Sequence, residues 1–122
     1  MIHSDRTFCA KPIDTDEDLA EVMSNHEWAL CQTFEHDGFL YLNDGSSEKS
    51  PEYSVVRVDS IDGLTVTGRE VGRINPFRMD VSKVLKFIQD MKSGIWSQDS
   101  SIKLKVEPYW HHGCELCEFR ED

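Results

Sequence analysis

The most regular pattern in the chain lies between Asp80 and Gly94. Apolar side chains recur there with the three- and four-residue spacing of an amphipathic helix, at Val81, Val84, Leu85, Ile88 and Met91. Asp80 is the expected N-cap, and Gly94 is a typical stop signal. A shorter helix is predicted over about 15–25, because Thr15 can cap a first turn that carries three acidic residues.

Alternating apolar and polar positions predict strands in the rest of the chain. The runs Trp28–Phe34 and Phe39–Asn43 lie on either side of the polar segment 35–38, which is typical of a β-hairpin. Segment 43–51 consists of polar and turn-forming residues, so it is a predicted surface loop.

A second hairpin is predicted around Asp62-Gly63, because β-branched runs flank this dipeptide. A final strand is predicted over Ile102–Val106, where apolar and charged residues alternate. The order is α-β-β-β-β-α-β, and the short connections favour antiparallel pairing. We therefore expect an α+β fold in which two helices pack on one face of a mostly antiparallel sheet of about five strands.

A chain of 122 residues has the size of one domain. We expect a single α+β domain over 1–122, with an irregular N-terminal segment over 1–14 and a C-terminal tail over 108–122. The apolar runs are far shorter than the roughly 20 residues that span a bilayer, and the N-terminus lacks a secretory pattern. The expected protein is soluble, cytoplasmic and without membrane contact.

The net charge of −10 is concentrated in the first half of the chain. From Pro12 to Glu48 there are ten acidic residues and neither Lys nor Arg. Such a field repels nucleic acid and anionic membranes, and it attracts basic protein surfaces. The pattern predicts a small acidic binding module that contacts a basic surface of a macromolecular partner, as an inhibitor or immunity-type protein does. The expected contact residues are Asp14, Asp16, Glu17, Asp18, Glu21, Glu27, Glu35 and Asp37. Alternatively, the acidic surface serves solubility alone.

A second class of function is a small-molecule-binding domain or an enzyme with a pocket between the sheet and its helices. The sequence contains no motif that sets a nucleophile beside a base, so no catalytic residue is assigned. His26 and His36 are interpreted as exposed residues at a helix end and in a hairpin loop.

The tail concentrates candidate metal ligands in His111-His112-Gly113-Cys114-Glu115-Leu116-Cys117. Paired thiolates and an imidazole are ligands that zinc prefers, so His112, Cys114 and Cys117 form a candidate zinc site in a zinc-stabilised adaptor. A fourth ligand would come from His3, Cys9, Cys31 or a second subunit. Alternatively, these side chains are incidental. A redox role is disfavoured because acidic neighbours oppose thiolate formation.

The segment Gly68–Arg78 carries three arginines in a chain that is otherwise acidic. Its glycines would let a loop approach a ligand closely, which makes Arg69, Arg73 and Arg78 a candidate weak anion-binding site. The alternative is that these arginines pair with the protein's own carboxylates across the sheet.

Overall fold

The computed structural model describes residues 7–24, 33–43, 52–96 and 100–107. The described residues form six strands, two α-helices and one 3-10 helix. The strands are β1 (Thr7–Pro12), β2 (Thr33–His36), β3 (Phe39–Asn43), β4 (Tyr53–Asp62), β5 (Thr65–Ile74) and β6 (Ser100–Glu107). The helices are α1 (Asp16–Ser24) and α2 (Val81–Lys92), and the 3-10 helix is Pro76–Arg78. The predicted α+β class is confirmed, and so is the order of the predicted elements.

Both helices begin and end where local chemistry predicts. The backbone amide of Asp18 donates to the Thr15 hydroxyl at 3.0 Å, which identifies Thr15 as the N-cap of α1. Asp80 precedes α2 with an extended backbone, although its side chain makes no capping hydrogen bond. Gly94 adopts a φ of 87° just after α2, a conformation that terminates helices and favours glycine.

The sheet is a closed barrel in the order β1-β2-β3-β4-β5-β6. Neighbouring strands from β2 to β6 pair antiparallel, whereas β1 lies parallel to both β2 and β6 and closes the barrel. The described residues therefore form six strands, one more than the sheet of about five strands that the sequence predicts. The strand that the sequence did not predict is β1, which occupies part of the segment 1–14, expected to be irregular.

The turn of the first hairpin is shorter than predicted. It consists of Asp37 and Gly38 alone, because the described strand Thr33–His36 continues two residues beyond the predicted end at Phe34. Both turn residues have positive φ, at 49° and 82°, as tight hairpin turns require. Part of the predicted run, residues 28–32, lies outside the described residues.

Two apolar clusters occupy opposite faces of the barrel wall. The inner cluster consists of Ala10, Leu40, Leu42, Val56, Val66, Leu104 and Val106. The outer cluster joins strand residues such as Phe34, Tyr41 and Val55 to Leu19 of α1 and Ile88 of α2. The helices also contact each other, so they form one layer over one side of the barrel.

One end of the barrel collects the carboxyl ends of β1, β2 and β6, together with two hairpin turns. At this end, the Val58 amide donates to the Gly38 carbonyl at 2.9 Å, and the Val106 amide donates to the Leu64 carbonyl at 2.7 Å. We call it the acidic end because it also carries Asp14, Asp16, Glu17, Asp18, Glu35, Asp37 and Asp62. The two described helices are each too short and too polar to cross a membrane.

Candidate binding site at the acidic end of the barrel

The mouth of the barrel at the acidic end contains a depression with about 380 Å³ of space, part of it open to solvent. Its walls are formed by inner side chains of the barrel and by the turn between β4 and β5. The lining residues are Glu35, Leu40, Val58, Ile61, Gly63, Val66 and Val106.

Exposed apolar side chains border this depression. Ile61 is 62% exposed and Leu64 is 50% exposed, both near the tip of the β4–β5 hairpin. Water solvates such side chains poorly, and a contiguous apolar patch beside a concavity is typical of an interaction surface.

Glu35 provides the only carboxylate among the described residues that line the depression. Successive residues of β2 face opposite sides of the wall, so Phe34 lies in the outer cluster while Glu35 faces the barrel mouth. No described side chain forms an ion pair or a hydrogen bond with the Glu35 carboxylate. An unneutralised charge on an apolar wall favours a cationic ligand.

A stripe of carboxylates lies on the outer face of α1 and begins just before this helix. Glu17, Asp18 and Glu21 belong to α1, Asp14 precedes the N-cap Thr15, and all four carboxylates are exposed. Leu19, Ala20 and Met23 on the opposite face are buried. Within the described part of the chain, none of the four stripe carboxylates has a basic group within 4.0 Å. Glu27, another predicted contact residue, lies outside the described residues.

Two other predicted contact residues, Asp16 and Asp37, belong to an internal charge network. The Lys92 ammonium lies 2.7 Å from Asp16 Oδ1 and 2.6 Å from Asp37 Oδ2. His36 Nε2 lies 2.6 Å from Asp16 Oδ1 and 3.4 Å from Asp37 Oδ2. The network therefore ties together the start of α1, the β2–β3 turn and the last turn of α2.

The His36 imidazole lies between two hydrogen-bond acceptors. Nδ1 lies 2.8 Å from the Ile13 carbonyl oxygen, and Nε2 faces the Asp16 carboxylate. The ring therefore links the segment before α1 to the first residue of this helix. The side chain is only 2% exposed, which corrects the expectation of an exposed histidine.

The network shifts the ionisation of its members. Hydrogen bonding to Lys92 lowers the pKa of Asp16 and that of Asp37 below the ordinary value of 3.8. The same hydrogen bonds, that to Asp16 foremost, raise the pKa of Lys92 above 10.5. Burial, together with the negative charge of Asp16 and Asp37, raises the pKa of the nearby Tyr41 hydroxyl.

Replacing Lys92 by glutamine is expected to weaken the dependence of stability on acid pH. Because the folded-state pKa values of Asp16 and Asp37 are lowered, their stabilising contribution is present above pH 3.8 and is lost as the pH falls below it. We expect the variant to be up to about 1 kcal/mol less stable at pH 7 and closer to the wild type at pH 2–3. Urea unfolding across this pH range measures the difference.

The matched control is Lys86→Gln, which removes the same charge from an exposed pair with Asp90 at 3.7 Å. We expect this variant to follow the acid profile of the wild type. A Lys92→Gln profile that runs parallel to the wild-type profile down to pH 2 would show that Lys92 does not set the ionisation of Asp16 and Asp37.

Asp16, His36 and Asp37 also have the composition of a metal site, with one ligand atom from each lying within 4.8 Å of the others. The hydrogen bond from His36 Nδ1 to a backbone carbonyl is common in metal-ligating histidines. However, the Lys92 ammonium already contacts both carboxylates, so a divalent cation would have to displace it. The predicted zinc ligands, His112, Cys114 and Cys117, lie outside the described residues.

The arginine segment forms most of β5 rather than a loop. Arg69 Nε lies 3.5 Å from Asp59 Oδ2, and Arg73 Nη1 lies 2.7 Å from Glu52 Oε1. This arrangement matches the alternative in which the arginines pair with the protein's own acids. The side chain of Arg78 lies outside the described residues.

The described residues therefore define a small six-stranded barrel, covered on one side by two helices and carrying an apolar, acidic mouth. Comparisons with protein-family models, with curated proteins and with solved structures find no match to this chain. The chemical features of the acidic end are thus the basis for assigning a function.

Proposed function

We propose that the protein is a small binding module that contacts a basic surface of a macromolecular partner through its acidic end, in an inhibitor or immunity-like role. The observation that supports this proposal most strongly is the carboxylate stripe on α1. Its members are exposed and lack basic neighbours in the described part of the chain, whereas Asp16, Asp37 and Asp59 are each paired with a cation.

The first-turn positions of Glu17 and Asp18 are favourable, but the repulsion of each by Glu21 one turn later is unfavourable for the isolated protein. Like charges spaced three or four residues apart on a helix destabilise it by about 0.2–0.5 kcal/mol per pair. A basic partner surface would relieve this repulsion on binding, and the extended negative field would speed the encounter. The arrangement therefore makes a larger electrostatic contribution in a complex than in the free protein.

The alternative of a pocket between the sheet and the helices has less support. The outer apolar cluster occupies that layer, and Phe34, Tyr41, Val55 and Ile88 are fully buried within it. The depression lies instead at the barrel mouth, among residues of β2 to β6 and the β4–β5 turn. A zinc-stabilised adaptor that uses the C-terminal cysteines is compatible with either function.

Neutralising two carboxylates of the stripe is expected to weaken binding of a basic probe. We expect the double variant Glu17→Gln/Glu21→Gln to bind fluorescent deca-lysine about tenfold more weakly than the wild type at low salt, as judged by fluorescence anisotropy. The wild-type affinity should fall as salt is added, because salt screens exposed charges.

The matched control is Asp80→Asn/Asp90→Asn, which removes the same charge from α2. We expect this variant to bind within about twofold of the wild type, because its carboxylates lie outside the stripe. Equal weakening by the two double variants would mean that net charge alone attracts the probe. No measurable wild-type binding at low salt would also contradict the proposal.

A further inference from the structure

We propose that the barrel mouth is a pocket for a single lysine side chain of the partner protein. In this arrangement, the lysine stem lies against Leu40, Val58 and Val66, and its ammonium group pairs with the Glu35 carboxylate. This inference rests on the proposed function, because it specifies how the acidic end recognises a basic surface.

The chemistry of the wall matches the two parts of a lysine side chain. Leu40 and Val66 are buried members of the inner apolar cluster, and Val58 packs against it. A lysine that projects from a partner enters with its ammonium group first, so its four-carbon stem contacts the apolar wall while the ammonium reaches the Glu35 carboxylate. The exposed Ile61 and Leu64 would then contact the surface from which the lysine projects.

The shortage of acceptors favours lysine over arginine. Glu35 is the only charged side chain among the described residues that line the depression, and its carboxylate has no described partner. A guanidinium carries five N–H donors in a rigid fork, and those left unpaired against the apolar wall would be costly. An ammonium has three donors and is a compact charge, so one carboxylate and solvent can satisfy it.

The position of Glu35 differs from that of the other acids at this end. Asp16 and Asp37 already contact Lys92 and His36, and the stripe carboxylates lie on the outer face of α1. Glu35 therefore combines a carboxylate that has no partner among the described side chains with a concave apolar setting. The stripe provides attraction at a distance, and the mouth selects a particular side chain.

The test uses small probes that mimic each part of the lysine side chain. We expect n-butylammonium to shift the backbone amide resonances of Leu40, Gly63 and Val66 in ¹⁵N–¹H spectra of the full-length protein. Both n-butanol, which lacks the charge, and n-propylguanidinium, which resembles arginine, should bind at least about fivefold more weakly. In Glu35→Gln, the preference for n-butylammonium over n-butanol should fall below about twofold.

The matched control is Asp90→Asn, which removes one charge from α2 outside the stripe and should leave n-butylammonium binding within about twofold of the wild type. If Glu35→Gln does not fold, the comparison of probes on the wild type still tests the pocket. Equal binding of n-butanol would show an apolar cavity without charge selection, and tighter binding of n-propylguanidinium would indicate an arginine site. Either result, or an absence of shifts at the lining residues, overturns the inference.

The outcomes also separate this inference from the proposed function. If deca-lysine binds through the stripe while n-butylammonium leaves the lining amides unchanged, the acidic module stands and the lysine pocket is wrong. If n-butylammonium binds with the expected preference while deca-lysine does not bind, the mouth is a site for a free alkylammonium ligand. In that case, the proposal of a macromolecular partner is wrong, and so is the proposal that the mouth binds a lysine of that partner.

Discussion

Replacing Gly68 by alanine is expected to destabilise the protein by about 3 kcal/mol or more, close to the upper end of the usual overpacking range. Gly68 lies in β5 opposite Val58, and its side-chain position faces the β4 backbone. A Cβ atom there would lie within 3 Å of the Arg57 carbonyl oxygen and 2.9 Å from Val56 Cγ1. The carbonyl belongs to a paired strand, so it cannot move away without disturbing the barrel wall.

The matched control is Gly72→Ala in the same strand. Its added Cβ would lie 3.3 Å from Met91 Sδ, which belongs to a flexible side chain that can shift. We expect the free energy of unfolding of this variant to fall by less than about 1 kcal/mol, as measured by urea unfolding alongside Gly68→Ala. If the two variants lose similar stability, close approach of the strands at Gly68 is not what requires glycine there.

Replacing His36 by leucine is expected to lower the free energy of unfolding by about 2–4 kcal/mol at pH 7. Leucine keeps an apolar side chain at a buried position but provides no hydrogen-bond donor. The Ile13 carbonyl and the Asp16 carboxylate would each lose a hydrogen-bond partner. Urea unfolding of the variant, compared with the wild type, measures this loss.

The conservative variant His36→Gln tests whether the lost hydrogen bonds cause the effect. A glutamine amide can donate to one of the two acceptors, so we expect an intermediate loss of stability. If the His36→Leu variant has the same free energy of unfolding as the wild type, the contacts of His36 do not contribute to stability. If His36→Gln loses as much stability as His36→Leu, the effect arises from the packing of the histidine ring rather than from its hydrogen bonds.

The elements that depend on neighbouring residues could be predicted from the sequence. The apolar spacing of α2 and the Thr15 cap of α1 are local signals, and both helices form within one or two residues of the predicted limits. The Asp62-Gly63 signal likewise correctly marks the β4–β5 hairpin. Turn chemistry and periodicity act over a few residues, so a single sequence is sufficient to reveal them.

Closure of the barrel could not be predicted in the same way. β1 pairs in parallel with β2 and with β6, and the partner of Phe8 is Val106, nearly a hundred residues later. Such pairing leaves no local signature, because parallel neighbours need no turn between them. The short run Thr7–Pro12 also contains a lysine and a proline, which weakens its strand pattern.

The chemistry of the acidic end could be predicted only in part. The excess of carboxylates was evident from the sequence, but their division into stripe, network and mouth depends on tertiary contacts. Lys92 lies 76 residues from Asp16 in the chain, yet its ammonium contacts that carboxylate. One local signal was available for His36, because it alternates with Phe34 in β2 and so shares the buried outer face.

The most direct test of the central claim is carboxylate footprinting with and without N-acetylated deca-arginine, whose guanidinium groups do not react with activated carboxylates. Carbodiimide-activated coupling of glycine ethyl ester labels accessible carboxylates, and mass spectrometry of peptides reports each site. We predict that the deca-arginine probe lowers the labelling of Asp14, Glu17, Asp18 and Glu21 several-fold while leaving Asp80 and Asp90 unchanged. Uniform protection of all these carboxylates, or protection confined to α2, would contradict the assignment of the acidic end as the binding surface.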